Sequence, residues 1–481
     1  MNKRIVIYTV GQILRVIALL MMLPAIVSIL YHESSFWSFL ITIAIALIGG
    51  TVIVLLSKPK SQVIFAKEGF IIVSLAWLTV SLVGALPFYL SGEIPNYTRA
   101  FFETVSGFTT TGASILTNVE SMSHGLLFWR SFTHWIGGMG VLVFVMAVIP
   151  NITDRSIHIM RAEMPGPVIG KLVPRAKETA KILYLIYIVM TVVQIVLLTC
   201  GDMSLFDSII HTFGSAGTGG FGIKSDSLAG YSPYSQWVIA IFILLFGVNF
   251  NIYYLFFLRR FRSVLHSTEL WSYIVIVIVS SIAIFANISH LFPSVGEAIR
   301  ASVFQVSSII TTTGYSSVDF NEWPMFSKGI LLLLMFIGGC AGSTAGGLKV
   351  ARLVILIKRI RQEFRHLLHP RSVGVVKFEG KVVDNDTLNT VTVYFAFYIV
   401  LFFCIFLLLC LEPFDMFTNF SATTACFNNV GPGFSLVGPM ASYACYSDPS
   451  LWLLSFAMLL GRLEIFPLIL LLNPATWSKN K

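Results

Sequence analysis

Long apolar runs alternate with short polar or glycine-rich stretches along almost the entire chain. The first two runs, over residues 1–30 and 36–56, predict a hairpin of two membrane-spanning helices. We do not expect the first run to be a signal peptide, because no small-x-small cleavage site follows it and a second span comes directly after it.

Beyond residue 60 one three-part order occurs four times. A run long enough to cross the hydrocarbon, which takes about 20 residues, precedes a helical stretch that is too short to do so, and a second long run follows. The four sets are 68–90, 99–108 and 126–149; 179–200, 205–215 and 234–258; 269–291, 295–310 and 328–357; and 388–411, 414–427 and 451–472. Together with the hairpin they predict ten spans.

The expected fold is therefore an all-α polytopic membrane protein. It has an N-terminal helix hairpin and four pseudo-symmetric repeats of outer helix, pore helix, filter loop and inner helix around one pore. The predicted parts are the hairpin at 1–60 and the repeats at 68–150, 179–262, 268–362 and 387–473, with the inner helix of the third repeat broken.

Composition supports a membrane protein. The chain has 481 residues, of which 56% are hydrophobic and only 11% charged, and its mean hydropathy is +0.83. A soluble globular domain has roughly a quarter of its residues charged. No polar stretch is long enough to form a separate soluble domain.

A short helix that runs into a glycine turn recurs in each repeat. Residues 101–114 read FFETVSGFTTTGAS, and similar turns stand at 216–221, 311–315 and 428–432. We take Gly112, Gly219, Gly314 and Gly431 as the matching glycines, and they are separated by 107, 95 and 117 positions. Any one such turn could be ordinary, but a fourfold recurrence between spanning helices favours four loops around one axis.

This turn suits the coordination of K⁺ or Na⁺. Carbonyls that line a narrow pore can replace the hydration shell of the ion, and glycine permits the φ > 0 conformations that direct consecutive carbonyls toward an axis. Threonine adds a hydroxyl at the same depth. The predicted ion-binding filter residues are Thr109, Thr110, Thr111, Gly112, Ala216, Gly217, Thr218, Gly219, Thr311, Thr312, Thr313, Gly314, Asn428, Asn429, Val430 and Gly431.

The third inner run contains a glycine-rich interruption at 336–347. A broken helix at membrane depth leaves carbonyls unpaired and favours a gate, although close packing of small residues is an alternative. The predicted gate residues are Gly338, Gly339, Gly342, Ser343, Thr344, Ala345, Gly346, Gly347, Lys349 and Arg462.

Arg462 and Glu464 lie within the last apolar run. A buried Arg needs a partner, and residues two apart on a helix do not face each other. We therefore expect carbonyls of 338–347 to bind Arg462, either in gating or as a structural clamp.

Basic residues fall on one side of the predicted topology. Lysine and arginine concentrate in 58–67, 155–181, 259–262 and 358–381, opposite the four filter loops. The positive-inside rule then places both termini in the cytoplasm and the filters outside. The net charge of +9 belongs to this face, where topology and anionic lipid explain it without nucleic acid, and an acidic partner could also bind there.

The repeats, together with WIGGMG at 135–140, FGVNFNIYY at 246–254 and GGCAGSTAGGLK at 338–349, resemble the Trk/Ktr/HKT superfamily of potassium transporters. The leading hairpin is similar to the TrkH and TrkG branch. The resemblance implies K⁺ uptake across a bacterial inner membrane, a homodimer, and a cytosolic regulatory ring of TrkA type that binds nucleotide. This chain has no nucleotide fold or cofactor of its own, so the ring must be a separate protein. In the superfamily a serine at the first filter glycine accompanies Na⁺ permeation, and the four glycines here resemble the K⁺-selective pattern.

Two alternatives stay open at this point. A Na⁺-dependent KtrB-type subunit is the nearer, although that branch generally lacks the hairpin. An intramembrane enzyme would need paired acids, a metal set or a Ser/Lys dyad at membrane depth, and we expect His134, His211 and Glu103 to be isolated packing or vestibule residues instead.

Overall fold

The computed structural model describes residues 2–59, 65–140, 176–371 and 374–477. The N-terminal hairpin consists of α1 (Lys3–Leu20), α2 (Met22–Leu30) and α3 (Ser35–Leu56). Helices α1 and α3 cross at Gly11 and Gly50, where a methyl group on either Cα would lie about 3 Å from the carbonyl oxygen of the other. Small residues thus allow close backbone approach, as is common between helices in membranes.

The helices that fall in the four predicted repeats follow in chain order. The first repeat holds α4 (Ala66–Gly84), α5 (Leu86–Leu90), α6 (Tyr97–Phe108) and α7 (His124–Gly138); the second holds α8 (Ala176–Thr199), α9 (Leu205–Gly217), α10 (Pro233–Phe246), α11 (Phe250–Phe257) and α12 (Phe261–Leu265). The third holds α13 (Thr268–Ile288), α14 (Val295–Ile310), α15 (Met325–Ile337) and α16 (Val350–Leu368); the fourth holds α17 (Asn385–Leu409), α18 (Met416–Phe427), α19 (Asp448–Arg462), α20 (Phe466–Leu472) and α21 (Pro474–Trp477). Between α16 and α17, β1 (Lys377–Phe378) pairs antiparallel with β2 (Lys381–Val382).

Six helical stretches in the described part of the chain are long and apolar enough to cross a membrane. They are Lys3–Leu30, Ser35–Leu56, Lys67–Leu90, Ala180–Thr199, Thr268–Leu291 and Asn385–Leu409. Helices α10 and α11 count as a seventh if the 88° bend between them lies within one span. The total of ten spans stays a prediction, and residues 141–149 of the first inner run and 155–175 of the predicted basic loop lie outside the described residues.

The inner helices differ from the prediction, which expected a break in the third repeat alone. The run 234–258 is interrupted at 247–249, and Asn249 begins α11 by accepting a hydrogen bond from the amide of Asn251 at 3.0 Å. The run 451–472 is interrupted at 463–465, where Ile465 has φ 67°. Pro467 stands in the first turn of α20, where its missing N–H costs nothing.

Each pore helix begins with a side-chain cap and ends deep in the protein. The caps are Asn96, Ser204, Ser294 and Asp415, whose oxygens accept amide hydrogen bonds at 2.8 Å, 3.0 Å, 3.2 Å and 2.9 Å. The other ends, at Phe108, Gly217, Ile310 and Phe427, are buried. The four C-terminal dipole ends, which carry partial negative charge, are therefore at the centre of the molecule.

Candidate functional site

The turn that follows α6 has the hydrogen bonds of a Schellman motif. The amide of Thr111 donates to the carbonyl of Ser106 at 2.9 Å, and the amide of Thr110 donates to that of Gly107 at 3.1 Å. Thr110 has φ 55°, which is the left-handed conformation that glycine usually supplies at this position.

The other three pore helices end with the same bonds. The residues equivalent to Thr110 are Thr218, Thr312 and Asn429, with φ of 54°, 53° and 58°. The next amides, of Gly219, Thr313 and Val430, each donate at 2.8 Å to a carbonyl five residues back. A left-handed threonine costs on the order of 1–3 kcal/mol and persists only where the surroundings enforce it. Three such threonines in matching turns are typical of a functional site.

The backbone corrects the predicted register of the second turn by one residue. Gly112, Gly314 and Gly431 come two residues after their left-handed residues, and in the second turn that position belongs to Gly220 rather than to Gly219. The four glycines have φ of 80°, 75°, 84° and 101° in chain order. Ala216, a predicted filter residue, lies in the last turn of α9 instead. We call 109–112, 217–220, 311–314 and 428–431 the turn segments.

The turn segments form a closed ring. A methyl group on Gly112 would overlap the carbonyl oxygen of Gly219, and one on Gly220 would overlap that of Thr313. Likewise a methyl group on Gly314 would overlap the carbonyl oxygen of Val430, and one on Gly431 would lie 2.6 Å from that of Thr111. The last glycine of each turn segment thus contacts the third residue of the next segment along the chain, and the glycine of the fourth segment contacts the first segment.

The threonine hydroxyls mainly stabilise the turn segments. Thr109 and Thr111 hydroxyls lie 2.8 Å apart, and those of Thr311 and Thr313 lie 2.7 Å apart. In the fourth segment Asn429 donates through Nδ2 to the hydroxyl of Thr111 at 2.9 Å, which links the last segment to the first. All these residues are buried, so the hydroxyls and amides that join the turn segments lie away from solvent.

The two histidines bond to backbone carbonyls. His134 places Nδ1 2.7 Å from the carbonyl oxygen of Gly107, and its ring packs against Gly219. His211 places Nδ1 2.8 Å from the carbonyl oxygen of Asp207. The expectation that both are hydrogen-bonded packing residues is confirmed.

Glu103, in contrast, is not isolated. Arg130 of α7 donates through Nε to its Oε1 at 2.6 Å, and the two side chains are only 4% and 0% exposed. Sequence reasoning missed this ion pair because its members are separated by the whole first turn segment and the following loop.

The central break, residues 338–349 between α15 and α16, contacts the turn segments directly. The amide of Gly346 donates to the hydroxyl of Thr312 at 2.6 Å. A methyl group on Gly346 would lie 2.5 Å from the carbonyl oxygen of Asn428. The break therefore packs against the third and fourth turn segments, and only a glycine fits at position 346.

The break is also bound to the second repeat and to α13. The amide of Cys340 donates to the carbonyl of Gly247 at 3.0 Å, and the amide of Phe250 donates to that of Gly342 at 3.1 Å. Glu269 accepts from the amide of Ala341 at 2.6 Å. Sequence reasoning did not single out Glu269, although a carboxylate at the start of an apolar helix was a usable signal.

Arg462 joins the break to the first inner helix. Its Nη1 donates to the carbonyl of Thr344 at 2.7 Å, and its Nη2 donates to those of Gly137 and Gly138 at 2.5 Å and 2.7 Å. The prediction that carbonyls of the break bind Arg462 is confirmed. Lys349 has φ 74° and donates through Nζ to the carbonyl of Ala345, so it stabilises the break from within.

Cavities lie on both sides of the ring. The wider one, about 210 Å³, is lined by Gly112, Gly220, Gly314 and Gly431. The narrower one, about 40 Å³, is lined by Gly138, Gly346, Lys349 and Arg462 among others. The break and Arg462 thus face the narrow side of the ring.

The C-terminal half of α16 and the segment after it form a basic groove of about 800 Å³. Its lining includes Lys358, Arg359, Arg361, Arg365, Arg371 and Lys377. Most of this surface is exposed.

Comparison with known proteins identifies the family. The family model described as TrkH, a cation transport protein, matches residues 36–275 and 264–479. The Trk system potassium uptake protein TrkH of Salmonella typhimurium is 36% identical, and the match covers 100% of both chains. The Trk system potassium uptake protein TrkG of Escherichia coli is 33% identical, with 99% of each chain covered.

A solved structure has the same fold. The crystal structure of the potassium transporter TrkH from Vibrio parahaemolyticus superposes with a TM-score of 0.89 at 32% identity, covering 99% of this chain and 100% of the other. The predicted all-α polytopic membrane fold and the predicted relationship to the TrkH and TrkG branch are confirmed. Because relatives of full length are named as transport proteins, the intramembrane enzyme is rejected.

Proposed function

The chain belongs to the TrkH family of cation transport proteins, and on that premise we propose that it takes up potassium through a selective pore formed by the four turn segments. Full-length relatives named as potassium uptake proteins support potassium as the transported ion. The observation that carries the proposal is the closed ring, in which each glycine contacts a carbonyl of the next segment.

The ring suits a dehydrated monovalent cation. Neutral carbonyl oxygens from four segments can replace water around K⁺, and the C-terminal ends of four pore helices add partial negative charge at the same place. The left-handed Thr110, Thr218, Thr312 and Asn429 fix the direction of each segment. Gly112, Gly220, Gly314 and Gly431 keep the neighbouring segments in contact.

The central break and Arg462 form the gate in this proposal. The break lies against the narrow side of the ring, where it obstructs an ion leaving the turn segments. Arg462 adds a positive charge that opposes a cation in a low-dielectric site. Opening requires the break to move away, and Gly338, Gly342 and Gly347, each with positive φ, are suitable hinges.

We propose the bacterial inner membrane as the location, with both termini in the cytoplasm. The basic groove is formed by the C-terminal half of α16 and the segment after it, and the positive-inside rule assigns such a region to the cytoplasm. The wide cavity then faces outward and the gate faces inward.

Regulation is proposed to come from partners. By resemblance to the family, the chain forms a homodimer and binds a cytosolic TrkA-type ring that binds nucleotide. The basic groove supports an acidic partner surface on the cytoplasmic side.

Uptake by purified full-length protein in liposomes tests the proposal. We expect ⁸⁶Rb⁺ to accumulate in these liposomes and not in empty ones, with external K⁺ competing better than Na⁺. Repeating the assay with Na⁺ replaced by choline tests the KtrB-type alternative, because a Na⁺-dependent subunit would lose uptake. No accumulation under any of these conditions would contradict the proposal.

A further inference from the structure

Glu103 and Arg130 are the most enclosed pair of opposite charges beside the ring in the described part of the chain. Their residues are 1% and 3% exposed, and Arg130 also lines the wide cavity. A guanidinium does not deprotonate in proteins, so Arg130 keeps a positive charge beside the path of the cation. The carboxylate of Glu103, 2.6 Å away, offsets that charge.

The pair holds the segments that lead away from the first two turns. Glu103 accepts from the hydroxyl of Ser114 through Oε1 and from the amide of Ile115 through Oε2, both at 2.9 Å. Arg130 donates through Nη1 to the carbonyl of Gly222 at 2.9 Å, and its guanidinium carbon lies 3.6 Å from the centre of the Phe221 ring. The contacted residues, 114–115 and 221–222, follow Gly112 and Gly220 by only one to three positions.

The other repeats use neutral groups at this place. Glu103 precedes the left-handed Thr110 by seven residues, and the equivalent positions hold His211, Gln305 and Ala422. In the third repeat Gln305 donates to the carbonyl of Tyr315 at 3.4 Å, and in the fourth the hydroxyl of Ser421 accepts from the amide of Phe434 at 2.9 Å. Among the four positions equivalent to Glu103, only the one in the first repeat therefore holds an acidic residue.

We propose that Glu103 and Arg130 are positioning residues that set cation selectivity: Glu103 fixes the outer limb of the first turn segment and cancels the charge of Arg130 at the pore mouth, and Arg130 fixes the outer limb of the second turn segment. This inference rests on the proposed function. A buried pair of this kind adds little to stability over an apolar pair, which leaves positioning as its role.

The two residues have separable effects on transport. In Glu103→Gln an unbalanced guanidinium repels the entering cation, so the KM for ⁸⁶Rb⁺ uptake rises at least about threefold, and the rise is smaller at high ionic strength. In Arg130→Gln the positive charge of the pair is removed and the Glu103 carboxylate remains, which attracts a cation, so the KM does not rise, but the limb at Gly222 is released and the K⁺ over Na⁺ preference falls. The double variant Glu103→Gln/Arg130→Gln combines a KM near that of the unaltered protein with the reduced preference.

The test measures the KM and the K⁺ over Na⁺ preference of the full chain in liposomes. Glu120→Gln is the matched control, because Glu120 also joins the first two loops, by accepting from Ser225 at 2.7 Å and 2.6 Å, but lies at the exposed surface. Uptake by the unaltered protein separates the two proposals, since its absence contradicts the proposed function itself. Where that uptake is present, an unchanged KM and preference in Glu103→Gln overturns the inference.

Two further outcomes of these measurements also test the proposed role of Glu103 and Arg130. Equal rises in KM for Glu103→Gln and Arg130→Gln overturn the charge argument and show general damage. If the single variants fail to fold, the double variant, which retains two neutral amides of similar size, supports the inference by a reduced preference and overturns it by an unchanged one.

Discussion

Arg352 and Glu464 form a buried ion pair between the first turn of α16 and the interruption of the last inner helix. The guanidinium of Arg352 also lies over the ring of Tyr394, 4.2 Å from its centre. The helix that follows the central break is thus tied to the fourth repeat by charge, and Arg462, two residues before Glu464, is tied to the break itself.

The first prediction concerns the stability that this pair provides. Arg352→Met leaves a carboxylate buried without its partner, and breaking such a pair costs about 3–5 kcal/mol. We expect a clear loss of thermal stability in detergent. The double variant Arg352→Met/Glu464→Met removes both charges and is expected to be more stable than the single one.

Arg365→Met is the control for this prediction, because Arg365 lies on the same helix but is exposed. We expect it to unfold at a temperature close to that of the unaltered protein. If Arg352→Met and Arg365→Met lower the unfolding temperature equally, the pair is not the source of the stability.

The second prediction concerns the glycines of the ring. Gly112→Ser adds a Cβ that overlaps the carbonyl of Gly219, in a residue whose φ of 80° already disfavours a side chain. We expect a lower K⁺ over Na⁺ preference in competition for ⁸⁶Rb⁺ uptake, and the same direction of change for Gly220→Ser. Gly296→Ser is the control, since a Cβ at that residue would have no neighbouring atom within 4 Å. An unchanged preference in both ring variants would refute the filter assignment.

The turns could be found from sequence because a short helix that runs into a glycine turn recurs four times, but the register of the second turn could not. Residues 217–222 contain four glycines, at 217, 219, 220 and 222, and nothing local distinguishes the one that closes the ring. The register is set by the end of α9, where the amide of Gly219 bonds back to Gly214, and by contact of Gly220 with Thr313. Both are properties of the assembled repeats.

The third prediction concerns the basic groove. Reversing Arg359 and Arg361 to Glu replaces two positive charges in the groove by two negative ones. We expect weaker co-purification with the proposed TrkA-type ring at low salt, and a smaller loss of the remaining complex as salt rises, because salt screens exposed charges within about 10 Å at 0.1 M and less attraction is left to screen. Unaltered association at every ionic strength would mean that the regulatory partner binds to another surface of the protein.

The fourth prediction tests the contact between the break and the ring. Thr312→Ala removes the hydroxyl that accepts from the amide of Gly346, and one such bond contributes about 0.5–1.5 kcal/mol. We expect faster ⁸⁶Rb⁺ uptake in the absence of the regulatory ring, by up to about tenfold. Thr110→Ala alters the equivalent position of the first segment, whose hydroxyl does not bond to the break, and is expected not to raise the rate. Equal effects of the two variants would assign the change to the filter.

The breaks were only partly predictable. The glycines of 338–347 made the third interruption visible, whereas α10 and α11 are separated at Gly247, Val248 and Asn249 within a run that remains apolar. Asn249 and Pro467 are start signals for the helices that follow, but the left-handed Ile465 has no signal in the sequence because tertiary contacts impose it. Long-range pairs such as Arg352 with Glu464 cannot be predicted from local sequence patterns for the same reason.

The last prediction concerns Arg462 as the link that keeps the gate closed. Arg462→Ala removes donors from the carbonyls of Thr344, Gly137 and Gly138, and a hydrogen bond to a charged group contributes about 1.5–3 kcal/mol. We expect ⁸⁶Rb⁺ uptake without the regulatory ring to rise about tenfold or more, and shortening 342–346 to act in the same direction.

Arg462→Lys separates the two ways in which Arg462 could close the pore. Lysine keeps the positive charge but lacks the planar guanidinium that reaches carbonyls of both the break and α7. Low uptake by Arg462→Lys would show that the charge closes the pore. High uptake would show that the hydrogen bonds between the break and α7 close it. The K⁺ over Na⁺ preference is expected to stay the same in all of these variants, because Arg462 bonds to the break and to α7 and not to the turn segments that set the preference. Loss of uptake in well-folded Arg462→Ala and in the shortened protein would instead make these residues part of the ion path. Faster uptake with lost preference would mean that the gate and the filter are a single element, joined through Gly346 and Thr312.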